Sequence, residues 1–469
     1  MQWLLFAACT SGSDSGDDPS DSADPGVHGE LSITIPDGAV YKTSVPMDDG
    51  TLLAVRATWN PLTAERYAGE RTTLLLARGS LSAGAFLEPQ ETGPWSRMGA
   101  VLVQVILPGG FSDGQVSTGE FDYRGVHSQD AFGAALEWTA GRRPDIDGKY
   151  IADIIPDASP EIGLVGMSAG VNLAFGALAR DPSGLDFVKW MVAWEGPYTD
   201  QFLDVELMSY DFEMNPTYDL GSCGNTSCPF ATEPDRIQFD PAGHSFTEDP
   251  LGAQEIDLDG VLYVDEDGDG HYAPDEFSWH MLSAPGPDGE LACAPSLDLA
   301  QVIDAQSDRL FADSARPSWL PPTDWLEAYW ATRDASVILP SLAAARPDLR
   351  IIVAGSQTDH IYKAVPDHPH VVALTHYLQD IGFEFVRLNP DAAYMGAALD
   401  ADPSGLPDND AGTAPTWPDT PDWLEPEGSR LPFDYFVPPS AALELDDRVH
   451  AGNWSPNLDR TLVAVPKIL

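Results

Sequence analysis

The chain has 469 residues, which is longer than one average domain and long enough to bury a large core. Apolar residues make up 43% of it, as in a globular protein. It carries 74 acidic residues against 24 basic ones, a formal charge of −50. Because such a surface repels nucleic acid and anionic lipid, we discount both as partners. The acidity itself indicates a solubility device, or salty or calcium-rich surroundings, and it names no function.

The chain begins with a short apolar segment and an acidic low-complexity stretch. Residues 1–8 are too few to span a bilayer and lack a basic start. The sequence Leu-Phe-Ala-Ala-Cys at 5–9 resembles a bacterial lipobox, in which small residues precede a cysteine that is lipidated after cleavage. Residues 10–29 are rich in Asp, Ser, Gly and Pro, which is typical of a disordered tether. We therefore predict a signal remnant over 1–9, an acidic linker over 10–29 and export as a lipoprotein anchored at Cys9, against a fortuitously apolar start.

Residues 30–200 alternate strand-like and helix-like patterns. Two strand-like runs around an Asp-Asp-Gly turn predict a hairpin over 45–54. Continuous apolar runs, typical of strands buried on both faces, lie at 72–77 and 100–107, and further buried strands are predicted at 161–165 and 188–194. Apolar residues at helical spacing lie at 129–140 and 169–180. This alternation predicts a mostly parallel sheet with helices on both faces.

The most informative motif is Gly-Met-Ser-Ala-Gly at 166–170, between the strand at 161–165 and the helix at 169–180. Strand, sharp turn and helix are the setting of a nucleophile elbow, in which Ser168 sits in a strained turn. Small residues at Gly166 and Gly170 avoid collisions with neighbouring backbone. The alternative is an ordinary glycine-rich turn.

The alternation breaks at 201–317, a stretch rich in Asp, Gly and Pro that is typical of an insertion. Its three cysteines include Cys223 and Cys228, which flank Gly-Asn-Thr-Ser and could close a small disulfide loop, leaving Cys293. Zinc is not expected, because no second close pair of Cys or His residues accompanies them.

An acidic loop within the insertion fits a twelve-residue calcium loop of the EF-hand type. Carboxylates occupy its first, third, fifth and twelfth positions, glycine its sixth, and the seventh would supply a backbone carbonyl. The predicted ligands are Asp265, Asp267, Asp269, His271 and Glu276. Since the preceding residues 261–264 are strand-like, we expect an extracellular type of site with a structural role, rather than a paired sensor. The alternative is a merely acidic turn.

The alternation resumes over 318–395, which we take as the second part of the core. Helices are predicted at 324–333 and 370–381, and strands at 349–354 and 383–388. Residues 396–469 form a C-terminal extension that starts with a Pro- and Asp-rich stretch and ends ambiguously.

This order of elements resembles the α/β-hydrolase superfamily, in particular its exported esterases and prolyl-oligopeptidase-like enzymes. The resemblance covers roughly 40–200 and 318–395, and rests on Asp-Gly-Thr-Leu-Leu-Ala at 49–54, Ile-Leu-Pro-Gly-Gly-Phe-Ser at 106–112 and the motif at 166–170. It implies an α/β-hydrolase fold with a cap inserted after the strand that follows the nucleophile helix.

The resemblance also implies catalytic roles. Ser168 would be the nucleophile, and the oxyanion hole would consist of the Ala169 amide and an amide of the loop around Ser80. This loop has Arg78-Gly79 where the family usually has His-Gly. Asp359, just after the strand at 349–354, is expected to be the acid of the triad, against a helix-capping role.

The histidine is the departure from the family pattern, because none follows the last predicted strand. His450 preserves the chain order Ser, Asp, His and is the preferred base. The alternatives are His360, His368 or His370, or an incomplete triad. Without a base, a serine hydroxyl is a poor nucleophile.

The sequence thus predicts an exported serine hydrolase that cleaves carboxylic esters, of a small molecule or a polymer, through an acyl-enzyme beneath a calcium-braced cap. One alternative is a prolyl-oligopeptidase-like serine peptidase, which uses the same machinery. The other is a non-catalytic, surface-anchored binding protein on a hydrolase fold. A histidine imidazole within hydrogen-bonding reach of Ser168 separates the enzymes from the binding protein.

Overall fold

The computed structural model describes the greater part of the chain, and the statements below concern that part. The described residues are 28–34, 38–63, 65–78, 83–87, 95, 98–202, 215–219, 222–231, 233–248, 255–279, 282–287, 290–355, 370–390 and 430–452.

Strands form one large sheet and three small ones. The strands are β1 (Glu30–Thr34), β2 (Gly38–Pro46), β3 (Leu52–Trp59), β4 (Thr73–Ala77), β5 (Val101–Val105), β6 (Phe111–Ser112), β7 (Gln115–Val116), β8 (Ile162–Met167), β9 (Val188–Trp194), β10 (Ile237–Glu248), β11 (Glu255–Val264), β12 (Ser283–Pro285), β13 (Leu291–Cys293), β14 (Arg350–Ala354) and β15 (Phe385–Leu388). The large sheet has the order β1-β2-β3-β5-β4-β8-β9-β14-β15.

Six neighbouring strands of this sheet, from β5 to β15 in that order, run parallel. The hairpin of β2 and β3 and the strand β1 add an antiparallel side. The parallel strands are mostly apolar because helices cover both of their faces. We call the side at which they begin the amino edge and the side at which they end the carboxyl edge.

Helices lie on both faces of the sheet, as predicted. They are α1 (Val126–Thr139), α2 (Ile151–Ile154), α3 (Gly170–Arg180), α4 (Leu297–Ala305), α5 (Ser307–Leu310), α6 (Thr323–Trp330), α7 (Ala335–Ala345), α8 (His370–Asp380) and α9 (Arg430–Ala451), with a 3-10 turn at Pro234–Arg236. Helices α1, α3, α7 and α8 build the core on one face. Among the described residues, no helix combines the length and apolarity that a bilayer crossing requires.

Helix α9 covers the other face, a role that the sequence left ambiguous. Val437, Ala441 and Leu445 pack in the core of that face together with residues of β8, β9 and β14. The helix also buries Glu444, whose carboxylate accepts hydrogen bonds from Arg387 at 2.5 Å and from Arg448 at 2.9 Å. The predicted extension at 396–469 therefore contains an element of the α/β core.

The insertion after β9 has its own core. Its long β10–β11 hairpin packs with α4 in an apolar cluster that includes Leu262, Phe277 and Trp279. A disulfide joins Cys223 to Cys228, and Cys293 is a buried free thiol. The architecture is that of the predicted α/β-hydrolase fold, with its large insertion placed after the strand that follows the elbow helix.

Candidate active site

Ser168 lies in a sharp turn between strand β8 and helix α3. Its φ of 48° is in the left-handed region, where a residue other than glycine is strained by about 1–3 kcal/mol. The Ser168 N–H donates to the Trp194 carbonyl at 2.8 Å, and the Ser168 carbonyl accepts from the Val171 N–H at 2.8 Å. The serine stays partly exposed. A strained strand-to-helix turn that leaves its serine accessible has the geometry of a nucleophile elbow.

Two glycines make this turn possible. A Cβ atom at Gly166 would lie 2.7 Å from the Val171 Cα, and one at Gly170 would lie 2.2 Å from the Ala77 carbonyl oxygen. Real Cβ atoms do not approach backbone so closely, so both positions require glycine. The second contact also places the start of α3 against the end of β4, where the loop with the predicted oxyanion residue Ser80 begins. Ser80 itself lies outside the described residues.

The insertion packs directly onto the elbow. Ala169, whose amide is the other predicted oxyanion donor, is only 2% exposed. It shares a buried apolar cluster with residues of the insertion and of α6, namely Leu282, Ala284, Ala294, Ala300, Leu326, Tyr329 and Trp330. The insertion therefore covers the residue that follows Ser168, as a cap would.

His450 lies at the opposite edge of the sheet, and the structure contradicts its predicted role as the base. Its ring stacks on Tyr67 with 3.5 Å between the ring centroids, and its Nδ1–H donates to the Asp446 carbonyl at 2.9 Å. The Asp446 carboxylate in turn accepts from the hydroxyl of Thr72, just before β4. Ser168 follows the end of β8, two residues beyond Gly166, which is paired with Ala77 at the end of β4. At about 3.3 Å per residue, β4 separates the two edges by about 15 Å.

His450 lies at the amino edge because of the direction in which its helix runs. Helix α9 runs antiparallel to the strands, so its last turn, which bears His450, reaches the amino edge. Chain order alone does not determine at which edge a residue lies.

His370 is the alternative base that the described residues include. It begins helix α8 and is fully buried, with its ring against Phe202 at 5.6 Å between centroids. A Cβ atom on Gly355, just after β14, would lie 2.6 Å from the side chain of Val371. His370 is therefore next to the end of β14 at the carboxyl edge, the edge that carries Ser168. His360 and His368 lie outside the described residues.

Asp359, the predicted acid, also lies outside the described residues. The structure presents an acid that the sequence analysis missed, Glu195, directly after β9. It is 7% exposed and has a left-handed φ of 48°, and its N–H donates to the Ala354 carbonyl at 2.8 Å. Glu195 thus lies between the strand ends of Ser168 and His370. One feature of the sequence could have identified Glu195: it is an acidic residue that directly follows a buried apolar run.

The acidic loop joins the end of β11 to Phe277. Carboxylate oxygens of Asp265, Asp267 and Asp269 lie within 4.8 Å of one another. Loop amides hold them in place, since Asp265 accepts from Gly268 N–H at 2.7 Å and Asp269 from His271 N–H at 2.8 Å.

Glu276 closes this loop from its far end. One of its oxygens accepts from the Glu266 N–H at 2.8 Å and the other from the Ala273 N–H at 2.9 Å. Burial raises the pKa of nearby Tyr263, and the charges of Asp265 and Glu276 raise it further.

No protein-family model matches this sequence, and neither does the sequence of any curated protein. Among solved structures, brefeldin A esterase, a bacterial homologue of human hormone-sensitive lipase, is 11% identical with a TM-score of 0.34, over 83% of this chain and 73% of that one. The thermophilic carboxylesterase EstE1, from a metagenomic library, is 13% identical with a TM-score of 0.34, over 77% and 79%.

Dipeptidyl peptidase 4 of Porphyromonas gingivalis is 10% identical with a TM-score of 0.36, over 75% of this chain and 32% of that one. These neighbours include esterases and a peptidase. At such low identities and TM-scores, the fold rests on the sheet topology and on the elbow.

Proposed function

We propose that this protein is a serine hydrolase that cleaves carboxylic esters through an acyl-enzyme. One observation carries the proposal: Ser168 adopts a left-handed φ of 48° in a turn that glycines at 166 and 170 alone permit. Strain of this kind persists where the surrounding structure imposes it, and it is concentrated at functional sites. The insertion, which packs against Ala169, supports a cap over the site.

The chemistry follows from the elbow. Ser168 Oγ attacks the ester carbonyl carbon while a histidine takes the hydroxyl proton. The Ala169 amide and an amide of the loop around Ser80 stabilise the negative oxygen of the tetrahedral intermediate. The histidine then returns the proton to the departing alcohol. Water, activated by the same histidine, releases the acid and restores the serine.

The base is drawn from the histidines between 360 and 370, and His370 is our first choice because it is buried at the carboxyl edge. Asp359, the sequence-based choice, or Glu195 orients it. Single substitutions separate these candidates. Substitution of the true base by alanine should lower kcat by about 10³-fold or more. His450→Ala is the matched control at the amino edge.

A fluorophosphonate probe tests the nucleophile. We expect one adduct on Ser168, located by mass spectrometry, that the Ser168→Ala variant lacks and the control Ser183→Ala, an exposed serine past the end of α3, retains. An unlabelled Ser168 in folded protein would make the non-catalytic, surface-anchored binding protein the better reading.

The bond type is tested on the same preparation. We expect aryl and alkyl esters to be hydrolysed with a higher kcat/KM than peptide amides that share the same acyl group. Faster cleavage of peptides would replace the esterase by a prolyl-oligopeptidase-like peptidase.

We also propose that the loop at 265–276 binds calcium and braces the insertion. The loop supplies hard oxygen donors in a close group, which suits calcium. Asp265, Asp267, Asp269 and Glu276 would bind through carboxylates and His271 through its carbonyl. The loop lies between β11 and Phe277, and both belong to the core of the insertion. A calcium ion that orders the loop would therefore also order the insertion.

Calcium binding is measurable without activity. We expect titration calorimetry to give a Kd of about 10⁻⁴ to 10⁻³ M, the range of extracellular modules, and calcium to raise the melting temperature. Asp267→Asn with Asp269→Asn should abolish both effects, and Asp235→Asn with Asp257→Asn, acids outside the loop, should abolish neither. Equal responses of the two double variants would contradict the site.

We further propose that the protein is exported and attached to the membrane through lipid at Cys9. The lipobox-like sequence at 5–9 supports this, although those residues lie outside the described part. Expression with a labelled fatty acid in a bacterial host should label the wild type and not Cys9→Ser. Equal labelling of both would contradict the anchor.

A further inference from the structure

A short segment between β9 and the insertion packs along helix α8. We call residues 198–202 the junction segment, in which Tyr198 and Phe202 are fully buried. The Tyr198 ring stacks on the Tyr377 ring with 5.7 Å between centroids, and the Phe202 ring packs edge to face against the His370 ring at 5.6 Å. His370 and Tyr377 are seven residues apart and therefore lie on one face of α8. The junction segment thus covers the face of α8 that carries His370.

The insertion holds the junction segment by hydrogen bonds. The Gln201 side chain is 1% exposed and pairs twice with the backbone of Cys228: its Nε2–H donates to the carbonyl at 3.2 Å, and its Oε1 accepts from the N–H. The neighbouring Asp200 carboxylate accepts from the Leu297 N–H at 2.9 Å, where α4 begins. A buried amide with both of its groups paired is costly to displace, because it would leave unsatisfied partners. Gln201 and Asp200 therefore fix the junction segment to two parts of the insertion.

The partner of Gln201 belongs to a small loop that a disulfide closes. The Cys223–Cys228 bond encloses residues 223–228, which we call the disulfide loop. Its Asn225 side chain donates to the carboxylate of Asp380, the last residue of α8, at 2.7 Å. Cys228 is 2% exposed and shares the main core cluster with apolar residues of α8. The disulfide loop therefore contacts α8 directly at its end and, through the junction segment, near its start.

These contacts restrain the helix that carries the first-choice base. They hold α8 near its start at His370, in its middle at Tyr377 and at its end at Asp380. A side chain is placed most accurately when its helix is locked by packing and hydrogen bonds of this kind. Accuracy matters for a base, which must lie within about 2.6–3.2 Å of the group whose proton it takes.

We infer that the disulfide loop, acting through Gln201 and Phe202, positions His370 as the base of the esterase. The inference rests on the proposed function. Gln201 and Phe202 are then positioning residues, which act through His370 and not on the substrate. The S–S bond restricts the backbone of the loop, so the inference also makes hydrolysis sensitive to reduction. A dithiol would break this bond, leaving Cys223 and Cys228 as thiols while the dithiol itself becomes a disulfide.

Variants of the full-length protein, in calcium-containing buffer, test the positioning residues. With a 4-nitrophenyl ester as substrate, we expect Phe202→Leu to lower kcat by about 10- to 100-fold and to change KM by less than about twofold. Gln201→Met should lower kcat by a smaller factor. Phe187→Leu is the matched control, because Phe187 is a buried phenylalanine just before β9, at the other end of the same strand. It should lower the melting temperature and leave kcat unchanged.

A double-mutant cycle separates positioning from general loosening. The measured quantity is the rate at which a fluorophosphonate labels Ser168. In the His370→Ala background, Phe202→Leu should lower this rate no further, because its effect passes through the imidazole that is already missing. A change that loosened the elbow itself would lower the rate in both backgrounds.

Reduction provides a test on the unaltered sequence. We expect dithiothreitol to lower kcat of the wild type, with mass spectrometry of alkylated Cys223 and Cys228 to confirm that the bond is open. The double variant Cys223→Ser with Cys228→Ser should have the low kcat without treatment and should not respond to the dithiol. Circular dichroism checks that each protein is folded, and Phe202→Met replaces Phe202→Leu if the latter unfolds.

The outcomes are distinguishable. If Ser168 is not labelled, the proposed function fails, and the inference with it. If Ser168 is labelled and His370→Ala keeps the wild-type kcat, the base lies elsewhere: the inference is overturned and the hydrolase stands. If His370→Ala loses activity while folded Phe202→Leu, or the reduced wild type, keeps the original kcat, positioning by the disulfide loop is overturned and His370 remains the base.

Discussion

The two edges of the central sheet differ: buried acids have hydrogen-bond partners at the amino edge, and the backbone is strained at the carboxyl edge. At the amino edge, Asp447 accepts two hydrogen bonds from the Arg66 guanidinium, one of them at 2.7 Å, and another from the Tyr67 hydroxyl at 2.6 Å. Asp446 accepts from Thr72 and, at 3.2 Å, from the Trp190 indole. These buried acids fasten α9 to the sheet.

At the carboxyl edge, the backbone is strained instead. Ser168 and Glu195 both have left-handed φ values, and each follows the end of a parallel strand. Glycines approach backbone and side chains there at distances that no other residue allows. The comparison teaches that matched polar partners mark the edge that holds the fold together, whereas strained backbone marks the edge that we propose for chemistry.

Among variants that leave the proposed catalytic side chains in place, the largest loss of activity should come from Gly170→Ala. The new Cβ atom would meet the Ala77 carbonyl oxygen at 2.2 Å, so α3 must shift relative to β4. We expect kcat/KM for an ester to fall about 100-fold or more, because a misplacement of about 1 Å at a catalytic group costs that much.

The matched control for this change is Gly133→Ala, at a helical glycine with open space around it. It should keep full activity and stabilise the protein by about 0.5–1 kcal/mol. Similar activities of the two variants would show that the elbow tolerates displacement.

At the amino edge, Asp447→Ala should lower stability strongly and leave the elbow intact. It strips Arg66 and Tyr67 of a buried partner, which costs about 3–5 kcal/mol in the free energy of unfolding. Urea titration measures the loss, and probe labelling of Ser168 in the folded fraction should not change.

Asp186→Ala is the control, since Asp186 forms a surface pair with Arg142 at 3.3 Å. Such pairs contribute about 0–1 kcal/mol. Equal losses of stability for Asp447→Ala and Asp186→Ala would contradict a stabilising role for the buried contacts of Asp447.

A third prediction concerns pH, at the junction of the core with the insertion. Burial raises the pKa of Asp334 to about 7, and the nearby carboxylate of Asp200 adds to the rise. The unfolded chain releases this proton near pH 4. Between about pH 4 and 7 the folded protein thus holds a proton that the unfolded chain lacks, so stability falls as pH rises, by about 2–4 kcal/mol, and remains lower above pH 7.

Asp334→Asn should remove most of that fall and make the protein more stable than the wild type at pH 8. The amide oxygen still accepts the hydrogen bond that the Ser336 N–H donates to Asp334 at 2.7 Å. Thermal melts between pH 4 and 8 measure this. Asp324→Asn, an exposed aspartate in the first turn of α6, should follow the wild-type curve, and an unchanged curve in Asp334→Asn would contradict the prediction.

The smallest effect should come from His450→Ala. Loss of the stacking on Tyr67 and of one hydrogen bond should cost about 1–2 kcal/mol of stability. Ester hydrolysis should change less than about twofold, because His450 lies about 15 Å from the elbow. Steady-state kinetics at saturating substrate would measure this, and a loss of hydrolysis as large as that of Ser168→Ala would restore His450 to the active site.

Much of the architecture was predictable from local pattern. The apolar run at 188–194 coincides with β9, and the runs at 72–77 and 100–107 contain β4 and β5. A strand buried on both faces needs a continuous apolar sequence, and that need is visible in a single chain. The elbow was predictable for a similar reason, because a side chain at either of its glycines would collide with nearby backbone.

The rest depends on contacts between distant residues. Helix α9 contains Pro438 and Pro439 and a run of acids, which on its own indicates a loop or an exposed surface. Its acids are buried because Arg66, Arg387 and Thr72 from far along the chain meet them. Likewise, Glu195 has a left-handed φ where its N–H meets the Ala354 carbonyl at the end of β14, and no local pattern predicts that φ.

The long span of the Arg66–Asp447 contact has a kinetic consequence. The two residues are 381 positions apart, and α9 is the last described helix of the chain. The part of the sheet that α9 covers therefore stays exposed during synthesis until the residues of α9 have emerged from the ribosome. Folding of the core can finish only after α9 has been translated, and a chain cut short before residue 430 would expose an apolar surface that promotes aggregation.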